Sequence, residues 1–149
     1  MPGLTKQQIC ELIPHRDPFL WLDEVVEVTE TKIHARKHVD PQIDVFRGHY
    51  PGQPILPGVL MCEASMQAGA VLIARLPGGA VGANQVPVAT RINNVKFKHM
   101  VRPGDTLDIH VELTERLANA FFLTARVQVA GKTVVTLDFA CTATSSAPA

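Results

Sequence analysis

The 149-residue chain is short of cysteine, has no surplus of either charge and carries no long apolar run, and each shortage removes a class of protein. Its three cysteines, Cys10, Cys62 and Cys141, are odd in number and show no C-x-x-C spacing. That excludes a disulfide framework or a cysteine zinc site and predicts reduced thiols in a cytoplasmic protein. Fourteen basic side chains cancel fourteen acidic ones. The balance argues against nucleic acid or an anionic membrane as the main partner, because both select a basic surface. A local basic patch for one acidic protein stays open. No apolar run reaches the ~18–20 residues that span a bilayer, and no charged-then-apolar signal segment is read at the start. There is no H-E-x-x-H or P-loop pattern, and Gly78-Gly79-x-x-Gly82 reads only as a flexible connection. His34 and His38 are four apart, which on a strand separates them by about 13 Å and makes them no metal pair.

What remains is 46% apolar, enough to build a core, and is read as one α+β domain over residues 1–149 with a fraying tail from Thr144 to Ala149. Thr5 caps a short helix running to about Ile13, which Pro14 stops. Phe19 to Val28 reads as a strand, and Lys32 to Val39 as a second. Further on, Leu107, Ile109, Val111 and Leu113 alternate with polar residues. The same alternation runs through Leu123, Ala125, Val127 and Val129. After a turn at Gly131-Lys132 it returns in Val135, Leu137, Phe139 and Cys141. These are consecutive antiparallel strands.

Between the strand groups, Gly58 to Leu76 is rich in Ala, Leu and Met and apolar nearly all round, which predicts a buried helix. The economical arrangement is a hotdog fold: a curled antiparallel sheet of about five to six strands around one long central helix.

Glu63 lies in that helix among Leu60, Met61, Cys62, Ala64 and Met66. A buried carboxylate must be paired, hydrogen-bonded or protonated, and desolvation favours the protonated acid. Gln67, one turn on, is placed to orient it. A purely structural Glu at the rim is the other reading. The preceding loop, Gly48 to Gly58, holds three prolines and three glycines, a stiff segment able to fix His49. It delivers Gly58 to the helix start, where free N–H groups and the positive helix end would face a carbonyl. A base, an N–H donor and an acid together suit proton abstraction beside a thioester carbonyl with loss of a β-hydroxyl. Cys62 reads as inert packing.

The run His49-Tyr50-Pro51-Gly52-Gln53-Pro54-Ile55-Leu56-Pro57-Gly58-Val59-Leu60, then Glu63-Ala64 and Gln67-Ala68-Gly69, closely resembles the (3R)-hydroxyacyl-acyl-carrier-protein dehydratases of type II fatty-acid synthesis. Ile13-Pro14-His15-Arg16-Asp17-Pro18-Phe19-Leu20, Val95-Lys96-Phe97-Lys98 and Arg102-Pro103-Gly104-Asp105 extend the likeness over roughly residues 10 to 115. The resemblance implies a hotdog homodimer, often a trimer of dimers, with sites at the subunit interface. It implies His49 as the base at C2, Glu63 of the other subunit as the acid at the C3 hydroxyl, and the Gly58 amide on the thioester carbonyl. It implies no metal or redox cofactor, an acyl chain carried on the phosphopantetheine arm of acyl carrier protein, and an apolar tunnel. Related dehydratase/isomerases usually carry Asp at the position of Glu63, so Glu favours simple dehydration. His15 and Arg16 are expected to have a structural role, capping or bonding loop carbonyls near the site. Lys96, Lys98 and Arg102 are candidates for the carrier or the pantetheine phosphate, or else a solvated strand face.

The chain departs from the family at Gln42-Ile43-Asp44-Val45-Phe46, at Tyr50 in place of Phe, at Phe121-Phe122 and at Ala130-Gly131. Two other functions fit the same residues: a hotdog acyl thioesterase, and a non-catalytic acyl-binding subunit.

Overall fold

The computed structural model describes residues 2–76 and 85–145. Helix α1 (Lys6–Leu12) starts on a reciprocal cap: the Thr5 hydroxyl accepts from Gln8 N–H at 3.2 Å, and the Gln8 side chain accepts from Thr5 N–H at 2.8 Å. Strands β1 (Glu24–Val28) and β2 (Lys32–His38) follow, then a 3-10 turn at Asp44–Arg47 and the long helix α2 (Gly58–Ala74). Strands β3 (Gln85–Phe97), β4 (Thr106–Leu117), β5 (Ala120–Val129) and β6 (Lys132–Ser145) complete a six-stranded antiparallel sheet in the order β1-β2-β4-β5-β6-β3. The sheet curls around α2, which is the α+β hotdog arrangement expected from the patterning.

Alternation decides the core. Ile33 and Ala35 on β2, Leu107, Ile109 and Val111 on β4, and Leu123, Ala125 and Val127 on β5 are all buried, while their neighbours face outward. On α2, Ala64, Ala68, Val71 and Leu72 meet them with no exposure at all. Small residues let helix and sheet approach closely. A Cβ added to Gly69 would stand 2.8 Å from the Phe139 ring and 3.2 Å from Leu123, so only glycine fits there without displacement.

Three expectations need correction. The strand expected from Phe19 begins only at Glu24, because the backbone of Phe19 and Trp21 bonds to the Gln67 side chain instead of a neighbouring strand. Thr144 and Ser145, expected to fray, extend β6 by pairing with Val86 and Gln85; residues 146–149 lie outside the described residues. The turn before β6 is Ala130-Gly131, both in the left-handed region at φ 50° and 80°, as a two-residue hairpin requires. The glycine-rich connection expected at Gly78-Gly79-x-x-Gly82 also lies outside the described residues. Among the described residues no helix is long and apolar enough to cross a membrane.

Strand β3 is the unusual element. It ends the sheet, pairing with β6 on one side only, and Val88, Ile92 and Phe97 stand about half exposed. Two register shifts, at Ala89/Arg91 and Asn93/Lys96, interrupt its ladder.

Candidate functional site

His49 closes the 3-10 turn, its N–H donating to Val45 O at 3.1 Å, and its peptide with Tyr50 is cis. Its own carbonyl accepts from Ile55 N–H at 3.0 Å, and the next residue, Leu56, donates to Val101 O at 2.8 Å. These bonds close the proline-rich loop on itself and tie it to the connection between β3 and β4. The His49 ring stacks on Tyr50, centroids 4.1 Å apart, and its Nδ1 lies 2.8 Å from Ile55 O. A carbonyl oxygen only accepts, so Nδ1 carries the proton and Nε2 keeps its lone pair. The neutral ring thereby presents Nε2 as a hydrogen-bond acceptor.

The same loop delivers Gly58 to the start of α2. Pro57 is the N-cap and offers no capping side chain; Leu60 N–H goes to Pro57 O at 3.0 Å, and no side chain caps the N–H groups of Gly58 and Val59 ahead of it. Gly58 is held to glycine by the Phe97 ring, which a Cβ would meet at 2.5 Å. His49, Gly58, Met61, Phe97, Lys98 and Met100 line one groove of about 560 Å³ with a largely apolar wall. The His49 imidazole, the start of α2 and an apolar surface therefore share one space.

Glu63 does not line that groove. Five residues along a helix rise about 7.5 Å and turn by about 140°, so its side chain leaves α2 on a different side from Gly58. It also differs from the sealed carboxylate expected: its side chain is 23% exposed in the single chain. The reason is the N-terminal loop, which it reaches instead of the core. Gln67, 1% exposed, donates to Glu63 Oε2 at 2.9 Å and to Phe19 O at 2.9 Å, and accepts from Trp21 N–H at 2.8 Å. One buried amide thus orients Glu63 and pins the loop.

On the other side of Glu63 stands His15, its Nε2 3.8 Å from Oε2. Burial above all holds the His15 imidazole below its ordinary pKa; nearby Glu63 pulls it up and Arg16 adds to the lowering. Arg16 bonds the carbonyls of Ile13 and His15 at 2.9 and 2.7 Å, the structural part expected of it. The same structural role, capping or bonding loop carbonyls, is expected of His15. Its contact with Glu63 was invisible in the sequence, since nothing local links residues so far apart.

The three candidate cations separate. Lys98 lines the groove and donates its N–H to Val134 O at 2.7 Å. Lys96 is exposed opposite Thr136, and Arg102 is exposed in the turn closed by Asp105 on its N–H at 2.9 Å; neither lines the groove. Phe97, His99 and Met100 line it and were not singled out as site residues. Cys62 is buried, and burial pushes its thiol above the usual range, as for an inert packing residue. His34 bonds Asp108 at 2.7 Å and stacks on His110, away from His38. Among the described residues no three His, Cys, Asp or Glu side chains converge to hold a metal.

Comparison with known proteins bears on this arrangement. A family model described as the FabA-like domain matches residues 13–138. A 3-hydroxyacyl-[acyl-carrier-protein] dehydratase FabZ of Rickettsia bellii is 40% identical over 126 residues, 84% of this chain and 86% of the relative. The protein of that name from Clostridium perfringens is 41% identical over 125 residues, 84% of this chain and 88% of the relative. Among solved structures, the dehydratase heterocomplex ApeI:P from Xenorhabdus doucetiae superposes with a TM-score of 0.76 at 19% identity, over 90% of this chain and 89% of that one. A thioesterase of Haemophilus influenzae follows at TM-score 0.61 and 16% identity, covering 84% and 80%. At those identities the two structures speak for the fold alone.

Proposed function

The chain belongs to the FabA-like domain family, and from this premise we propose that it converts (3R)-3-hydroxyacyl thioesters on acyl carrier protein into trans-2-enoyl thioesters. In this reading the Gly58 N–H donates to the thioester carbonyl and makes the C2 proton acidic. His49 Nε2 takes that proton, the C3–O bond breaks, and Glu63 gives the departing hydroxyl its proton, so that water leaves and charge balances. The chain needs no metal or redox cofactor for this. The observation that carries the proposal is the His49 tautomer, locked by Ile55 O with Nε2 free, in one groove with an uncapped helix start.

The acid is supplied by a second copy. Glu63 leaves α2 away from the groove, which supports a homodimer with shared sites, and the bare edge of β3 offers a place for the copies to join. A trimer of such dimers is the larger assembly the reading allows. Lys98 is the cation suited to the pantetheine phosphate; Lys96 and Arg102 are left for the acidic carrier surface. We place the reaction in the cytoplasm, where the three free thiols stay reduced. No feature of the site favours the thioesterase or the binding-subunit alternative.

The test is turnover of a short (3R)-3-hydroxyacyl-carrier substrate, following enoyl product and free thiol together. Enoyl without thiol is expected; thiol without enoyl would replace the dehydratase by a thioesterase. His49→Ala and Glu63→Gln should each abolish turnover while the oligomer survives. Mixed one to one and reassembled, they should regain about a quarter of wild-type activity, because each mixed dimer keeps one intact site. No recovery on mixing would refute the shared site.

A further inference from the structure

Two buried polar atoms in this chain have no hydrogen-bond partner among the described residues, Trp21 Nε1 and His15 Nδ1, and the second belongs to the ring that faces Glu63. We propose that His15 is a positioning residue for the dehydration, a neutral imidazole that lets Glu63 keep the proton it must donate. The inference rests on the reading of Glu63 as the acid.

The hydrogen bonds leave little freedom. Gln67 Oε1 is occupied by Trp21 N–H, so the amide nitrogen must face the other way, with one hydrogen on Phe19 O and one on Glu63 Oε2. Oε2 is therefore an acceptor, and a proton on Glu63 belongs on Oε1. Nε2 of His15 lies 3.8 Å from that same Oε2, too far for a hydrogen bond but near enough for charge to count. An imidazolium there would stabilise the carboxylate and strip the acid of its proton before the reaction. The surroundings oppose that state. Protonating both nitrogens would bury an Nδ1–H with nothing to accept it. The groups facing the ring are Glu63 from α2 and Arg16 from its own loop, and Arg16 disfavours a second positive charge. Burial acts in the same direction and outweighs the pull of Glu63. His15 is held uncharged where a charge would disable its neighbour.

The experiment compares His15→Gln, a neutral replacement, with His15→Lys, a cation, by kcat and KM across pH. His15→Gln should lose about threefold in kcat and keep the position of the basic limb. His15→Lys should lose about tenfold or more, with the basic limb moved about one unit to lower pH and KM little changed. Equal profiles for the two variants would overturn the proposal, as would losses that simply follow melting temperature. Should His15→Lys fail to assemble, nitrogen-15 NMR of the wild-type oligomer decides: His15 should titrate below 6.5 with its proton on Nε2. Titration at or above that value, or a proton on Nδ1, would refute it. If Glu63→Gln turns over normally, the assignment of Glu63 has failed; if that variant is dead and His15 titrates normally, only the present inference has.

Discussion

Replacing Gln67 by leucine tests how the loop around Glu63 is held. The two side chains are similar in volume, so the change opens no cavity and isolates the hydrogen bonds. Gln67 is 1% exposed, and its loss strands Trp21 N–H, in a buried bond of 2.8 Å, and Phe19 O, in a partly buried one of 2.9 Å. Each buried group left unpaired costs about 1–3 kcal/mol. With the Phe19 carbonyl able to recover some water, the sum is about 2–4 kcal/mol. For a domain of this size that lowers the melting temperature by roughly 5–15 °C. Calorimetry on the wild type, Gln67→Leu and Glu63→Gln separates the two jobs of the amide. Glu63→Gln disturbs only the partly buried third bond and should melt within about 1 kcal/mol of wild type, while Gln67→Leu should lose both stability and turnover. A Gln67→Leu protein that melts with the wild type would mean the loop is held by its packing, and the account given of this amide would be wrong.

Two further outcomes follow from the packing and the titrating groups. Gly69→Val should destabilise the fold by about 1–3 kcal/mol, read by urea unfolding, because a side chain there must displace the Phe139 ring and Leu123; unchanged stability would mean that helix and sheet part freely. Burial first, then His34 and Arg126, hold the His110 imidazole below its ordinary 6.5. The unfolded chain therefore binds a proton as pH falls through 6.5 while the folded one resists, and stability drops over that range until His110 itself protonates. Melting temperatures between pH 8 and 5 should fall less steeply for His110→Gln than for wild type, and an identical slope would remove His110 from the explanation.

Strands β4, β5 and β6 were legible because one face of each is apolar and packs on α2 within the same chain, so periodicity reports the contact directly. Strand β3 gives no such signal. Its thirteen residues include Pro87 and the pair Asn93-Asn94, and none is buried. The apolar run Phe19 to Leu22 misled in the opposite sense: Leu20, Trp21 and Leu22 are buried as a strand would be, yet the Trp21 N–H and the Phe19 carbonyl are claimed by Gln67 from α2. At the site, His49 and Gly58 lie in one short loop and could be read together. Glu63 stood out as a lone acid in an apolar helix, but the helix pattern could not say that an incoming loop gives it a partly open setting. Lys96 and Arg102 read like Lys98, and only the path of β3 and the turn after it separates them.

The edge of β3 has a cost during synthesis. A freshly folded single chain displays a long strand with open N–H and C=O groups flanked by Val88, Ile92 and Phe97, a template on which any extended segment can add. Pro87 and the charges of Arg91 and Lys96 along the strand make it a poor template for random additions. They slow misassembly without ending it. If the edge is closed by a second copy, as in the proposed dimer, the yield of native protein depends on how soon a folded chain meets another: dilution leaves the edge open longer, and crowding with half-folded chains fills it wrongly.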